Sequence, residues 1–105
     1  VRPCYKIWLE SPQGKFILGE GTAQLLLAIR ERGSLSDAAR QLGISYAHAW
    51  RKIRDIEKNA GKRMVERKRG GKSGGSSALT EEGEHLLKEY ERLKEIVEEA
   101  FKKRD

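Results

Sequence analysis

The chain carries a single cysteine, only two histidines and no apolar run near the ~18 residues that a membrane span requires. Lone Cys4 excludes an internal disulfide and suits a reducing, cytoplasmic setting. His48 and His85 stand far from it and from each other, so no tetrahedral zinc set is expected. The amino-terminal "VRPCYKIWLE" lacks the unbroken apolar core of a secretory signal. No histidine–nucleophile spacing, paired-carboxylate pocket or GxxxxGK[ST] phosphate loop is present. Neither enzymatic activity nor a cofactor is therefore expected.

What is present is charge, and it is unevenly placed. The 105 residues carry a formal net charge of +6. Residues 1–44 hold six basic and four acidic side chains, residues 45–75 ten and three, and residues 76–105 six and nine. The cationic excess thus sits in the central third. A field focused in this way points to a polyanion, with double-stranded DNA the leading candidate; a merely solvated basic surface is the plain alternative.

The length predicts one domain over residues 1–105. "YKIWLE" alternates like a strand, "SPQG" supplies a turn and "KFILG" a second strand, giving a hairpin within 1–19. "EGTAQLLLAIRERG" reads as a helix with Leu25, Leu26 and Ile29 inward, closed by Gly33. Ser36 is placed to cap a short helix through Leu42, and Ser45 a longer one ending near Ala60. The "GIS" between them has the length of a helix-turn-helix joint, so residues 20–61 form a helical core containing that motif at 36–60. In the second helix Ala49, Ile53 and Ile56 make a buried stripe, while Ala47, Arg51, Arg54 and Lys58 lie opposite.

A short extended segment near Met64 and Val65 precedes "RKRGGKSGGSS", and order resumes at "SALT". A helix-turn-helix followed by strand, basic glycine-rich loop, strand and helix is a winged helix-turn-helix, with the wing at 62–79. Thr80 caps a final helix, 80–104, on which Leu86, Tyr90, Leu93 and Val97, then Ala100 and Phe101, form a narrow seam. That helix is longer than so small a core needs, so a homodimer is predicted. The fold class is mainly α with small β elements: a winged helix-turn-helix with an N-terminal β-hairpin and a long C-terminal dimerisation helix.

Candidate DNA contacts follow from this layout. Arg51 and Lys52 lie off the core stripe in the first turns of the recognition helix, with Arg54 one turn on. Ser45, Tyr46, Ala47 and His48 crowd its N-terminus, and Ser34 and Ser36 open the preceding helix; capping alone would equally explain the serines. Arg67, Lys68, Arg69 and Lys72 supply the wing with charge for phosphates. Trp50 borders the core stripe and is read as packing.

"SLSDAARQLGISYAHAWRKIRDIE" followed by "VERKRGGKSGGSSALTEEGEHLLKEY" closely resembles the N-terminal DNA-binding domain of the molybdate-responsive ModE regulators, within the LysR-like winged helix-turn-helix group. The distinctive features are "GISY..AW", "VER..GGK.GG" and "LT..G..L". The resemblance implies a dimeric transcription regulator, with the recognition helix in the major groove, the wing beside it and the last helix pairing subunits. Ser73, Ser76 and Ser77 make this wing less purely glycine than the family pattern. The molybdate-binding domain of such regulators has no counterpart in these 105 residues, so no molybdate site is expected here. A nonspecific architectural DNA binder and a winged-helix protein-docking module remain the alternatives.

Overall fold

The apolar periodicity of residues 20–60 is realised as three helices around one core. The computed structural model describes residues 1–68 and 75–103. Its elements are β1 (Leu9–Glu10), β2 (Phe16–Leu18), α1 (Glu20–Arg32), α2 (Leu35–Leu42), α3 (Tyr46–Ala60), β3 (Val65–Lys68), β4 (Ser76–Leu79) and α4 (Glu81–Lys102). Two small antiparallel ladders, β1–β2 and β3–β4, flank the helices.

Leu18, Leu25, Leu26, Ile29, Leu35, Ala38, Ala49, Ile53 and Leu87 are all essentially sealed from solvent. The core therefore lies where α1, α2 and α3 meet, closed by β2 on one side and by the start of α4 on the other. Each fully buried leucine or isoleucine contributes ~1.5–3 kcal/mol relative to exposure. Polar ties then fix the periphery. The Asn59 side-chain amide donates to the Phe16 carbonyl at 2.7 Å, joining α3 to β2. The Ser77 amide donates to the Gly33 carbonyl at 2.8 Å, joining β4 to the α1–α2 turn.

Several local expectations shift. The alternation of residues 5–10 yields only a two-residue strand, because β2 itself is three residues long between its turn and α1, and the register slips between Leu9 and Glu10. Trp8 stays half exposed with its indole N–H on Glu10. The cap of α2 is Ser34, not Ser36: Ser34 is extended, and its hydroxyl accepts from the Asp37 amide at 3.0 Å. Packing gives the reason. Leu35 is buried as the first helical residue, completing the Leu35–Ala38–Ala39–Leu42 stripe that a later start would break. Gly43 holds φ at +69°, letting its amide reach the Arg40 carbonyl and that of Ile44 the Ala39 carbonyl. Glu84, in the first turn of α4, reaches across to Arg30 of α1 at 3.2 Å.

The seam expected along α4 divides. Tyr90 turns inward, 3% exposed, and its hydroxyl donates to Glu20 Oε2 at 2.7 Å. Lys94 completes the clasp on Glu20 Oε1 at 3.1 Å. Phe101 packs on Tyr5 of the same chain, ring centroids 4.6 Å apart. Leu87, absent from the expected seam, is core, and Ile96, also absent, is 58% exposed.

Two consequences can be measured. A Cβ on Gly83, in the first turn of α4, would collide with the Met64 carbonyl. Gly83→Ala should therefore destabilise the fold by ~1–3 kcal/mol in urea unfolding, despite the ~1 kcal/mol propensity advantage of alanine in a helix. The clasp sets a pH dependence. The hydrogen bond from Tyr90 holds the Glu20 carboxyl below its ordinary 4.5, whereas burial, and then Glu20 itself, push the Tyr90 phenol up to about 12. Glu20 thus stabilises the fold fully above pH 4.5 and loses that effect as pH falls through its lowered native value. Tyr90 stabilises it fully below pH 10 and loses that effect as pH rises towards 12. Glu20→Gln should flatten the acid limb of the stability profile, and Tyr90→Phe the alkaline limb.

Candidate nucleic-acid interface

The recognition helix is oriented by what it buries. Ala49, Ile53 and Ile56 are at most 2% exposed, and on a helix of 3.6 residues per turn this turns Ala47, Arg51, Arg54 and Lys58 to solvent. Ser45 caps the helix, its hydroxyl accepting from the His48 amide at 3.0 Å. The remaining free amides of the first turn open beside the exposed Tyr46, Ala47 and His48. Arg51 and Arg54 have no carboxylate partner among the described residues, and neither does Lys68 on β3. Arg30, Arg40, Lys62, Arg92 and Lys94, by contrast, are each paired with an acid.

Lys52 goes elsewhere. It is half-buried and lines an ~890 Å³ groove with Glu20, Gly21 and Lys94, its ammonium 3.6 Å from where a Cβ on Gly21 would stand. The recognition-helix cations thus split between an outward set, Arg51, Arg54 and Lys58, and one, Lys52, that faces the start of α1.

The wing is held along α3 at two levels, its root near the C-terminal end of the helix and Arg67 near the N-terminal end. At its root, the Glu57 carboxylate accepts from the backbone amides of Met64 at 2.8 Å and Val65 at 3.2 Å, so α3 itself dictates where β3 begins. Thr80 then ties the far strand back: its amide donates to the Met64 carbonyl at 3.0 Å and its hydroxyl to that of Arg63 at 2.7 Å. Further out, the Arg67 guanidinium lies 4.2 Å from the centroid of the Trp50 ring and donates to the Tyr46 hydroxyl at 2.6 Å. Trp50 is otherwise half-buried and packed on the core, so it serves as a floor.

As a result Ser36, Tyr46, Arg67, Lys68 and Ser76 line one shallow pocket of ~280 Å³ where α2, α3 and the wing converge. Ser34 is half-buried in its cap just before α2, and Ser36 is exposed in the first turn. Arg69 and Lys72 lie outside the described residues. Two contributors escape sequence reasoning. Glu57 looks like any solvated helix acid, and the Arg67–Trp50 contact joins residues from separate elements with no shared motif.

Glu57→Ala removes the acceptor of two amides at a part-buried joint and should lower stability by ~1–3 kcal/mol, whereas Glu57→Gln, which keeps an acceptor oxygen, should cost less. Equilibrium urea unfolding of the two variants measures this.

Residues 22–84 match the family model for bacterial regulatory helix-turn-helix proteins of the lysR family. The chain is 43% identical over 77 residues to the transcriptional regulator ModE of Yersinia pestis, covering 73% of this chain and 29% of that protein. It is 37% identical over 89 residues to the DNA-binding transcriptional dual regulator ModE of Escherichia coli (strain K12), covering 85% and 34%. The chain thus spans about a third of the length of these curated relatives. Among solved structures, a CbnR DBD–DNA complex is similar with a TM-score of 0.59 at 22% identity, over 78% of this chain and 88% of that one. That likeness shows a shared winged helix-turn-helix fold.

Proposed function

The chain belongs to the lysR family of bacterial regulatory helix-turn-helix proteins, which is not an enzyme family, and from that premise we propose that it is the sequence-specific, homodimeric DNA-binding unit of a transcription regulator of the ModE type. One observation carries this reading. The outward face of α3 bears Arg51 and Arg54 without acidic partners among the described residues, and Arg67 of the wing is held against the N-terminal half of the same helix. An α-helix fits the major groove when its polar tips face outward, and base edges are read there by Arg in bidentate geometry.

In this reading Arg51 and Arg54, with Ala47 and His48 beside them, face base edges. Ser36, Ser45 and Lys68 meet phosphates, joined by Arg69 and Lys72 of the wing. Lys52 is relegated to the groove side of the helix. Dimerisation falls to the outer half of α4, where Leu93 and Val97 are only half-buried and Ile96 is exposed well beyond the core. Paired recognition helices would meet half-sites one helical turn, ~34 Å, or a multiple apart. A chromosomal partner implies a cytoplasmic protein; among the described residues no helix is long and apolar enough to cross a membrane.

Selection of duplexes from a random pool by the chain should return one pseudo-palindromic motif. With about six phosphates neutralised, affinity for it should fall roughly a thousandfold between 50 and 200 mM salt. Arg51→Ala should remove ~1–3 kcal/mol of discrimination between that motif and random duplex. Lys68→Ala should weaken both alike and reduce the salt slope by about 0.9. Equal affinity of the unaltered chain for all duplexes would mark an architectural binder instead.

A further inference from the structure

Arg67 lies in the most cationic stretch of the sequence, yet its guanidinium is already engaged. One face lies over the Trp50 indole at 4.2 Å, and an N–H points at the Tyr46 hydroxyl at 2.6 Å. Tyr46 and Trp50 are four residues apart on α3 and so stand one above the other on the same ridge. Arg67 grips that ridge from the side. It occupies the rung Arg67↔Ser77 of the β3–β4 ladder. The other half of that rung is also fixed, because the Ser77 amide donates to the Gly33 carbonyl. A single rung of the wing is thus tied to α3 through one strand and to the α1–α2 turn through the other.

We propose that Arg67 is a positioning residue: its guanidinium, held between the Trp50 ring and the Tyr46 hydroxyl, sets the angle of the wing against the recognition helix and thereby the discrimination between DNA sequences. The inference rests on the DNA-binding reading above and deepens it. A planar guanidinium can stack on an indole and donate along its edge at once; an ammonium is a point charge and cannot hold both contacts in that geometry. The clamp is solvent-exposed and weak for stability, so its effect lies in preorganisation: a wing already set at its bound angle need not be ordered when DNA arrives. Removing it should weaken binding to the sequence whose groove fits that angle, and leave loose electrostatic binding to random duplex largely intact.

The test uses Arg67→Gln, Arg67→Lys and Tyr46→Phe as single variants, and a double variant that combines Arg67→Gln with Tyr46→Phe. Affinities are measured against the duplex selected by the unaltered chain and against random duplex of equal length, across a salt series. In the free chain the Trp50 indole N–H resonance, assigned after Trp8→Phe removes the only other tryptophan, reports the clamp itself. The expected result is a shifted Trp50 resonance in both Arg67 variants. Each single variant should also lose about tenfold of its preference for the selected duplex, with an unchanged salt slope, no rescue by lysine and no further loss in the double variant. The proposal is overturned if Arg67→Gln weakens both duplexes equally and lowers the salt slope by about 0.9, with lysine restoring both and Tyr46→Phe silent. That pattern is one lost phosphate contact. Absence of any preference in the unaltered chain overturns the DNA reading itself, and is seen before any variant is made.

Discussion

The burial of Ala49, Ile53 and Ile56 is the constraint on which the rest of the structure depends. These three side chains are at most 2% exposed and together decide the rotation of α3 about its axis. A helix turns ~100° per residue, so a one-residue slip would carry Arg54 to the place of Ile53. An unpaired guanidinium there would cost several kcal/mol, against the ~1.5–3 kcal/mol that the isoleucine contributes. The hydrophobic effect has no direction of its own, but here it aims charge. Arg51 and Arg54 face outward because the opposite side of the helix has only one way to be dry.

The same helix then governs the wing. Glu57, one turn before the C-terminal end, receives the amides of Met64 and Val65 at the wing root, and Tyr46 and Trp50 near the other end receive Arg67. A β-hairpin of four rungs has marginal stability alone. Leaning on α3 at both root and middle, and on Gly33 through Ser77, it inherits a defined direction from a buried stripe that it only borders. Gly83 allows this closeness by letting α4 begin against the Met64 carbonyl, where any side chain would force the elements apart.

How much of this is legible in the sequence depends on the range of the interaction. The α3 stripe, the Gly43 turn and the caps at Ser45 and Thr80 are local, involving residues within about one helical turn, and periodicity and cap chemistry reveal them. Ser34 and Ser36 are both adequate caps by type. The choice is made by Leu35, whose burial depends on partners from other helices. The alternation of residues 5–10 states a preference that the three residues of β2 are too few to satisfy. Tyr90 fits a heptad seam by spacing alone, and is drawn inward by Glu20, seventy positions away. Arg67 and Lys52 are basic residues among basic residues. What separates them from Arg51 is an aromatic floor in one case and the start of α1 in the other, and neither neighbour is visible along the chain.

The inward turn of Tyr90 also shapes the proposed dimer. The Glu20–Tyr90–Lys94 clasp ties the first half of α4 to the start of α1, so that half moves with the helices that carry α3. Beyond Lys94 the helix continues for two more turns, and Ile96 and Val97 there, with Leu93 just before, lie on its less covered side. A second copy pairing there would be joined rigidly through the clasp to its own recognition helix. The spacing of two recognition helices would then be set by backbone geometry and buried contacts rather than by flexible linkage. Spacing fixed in that way is what allows a pair of short helices to select half-sites by separation as well as by base sequence. A clasp built on one carboxylate is a sparse means of transmitting it, but α4 is also held by Leu87 in the core and by Arg30 on Glu84 and Glu91. Three ties spread over about three turns, from Glu84 to Lys94, set the direction in which α4 leaves the core, as the buried stripe sets the face that α3 presents.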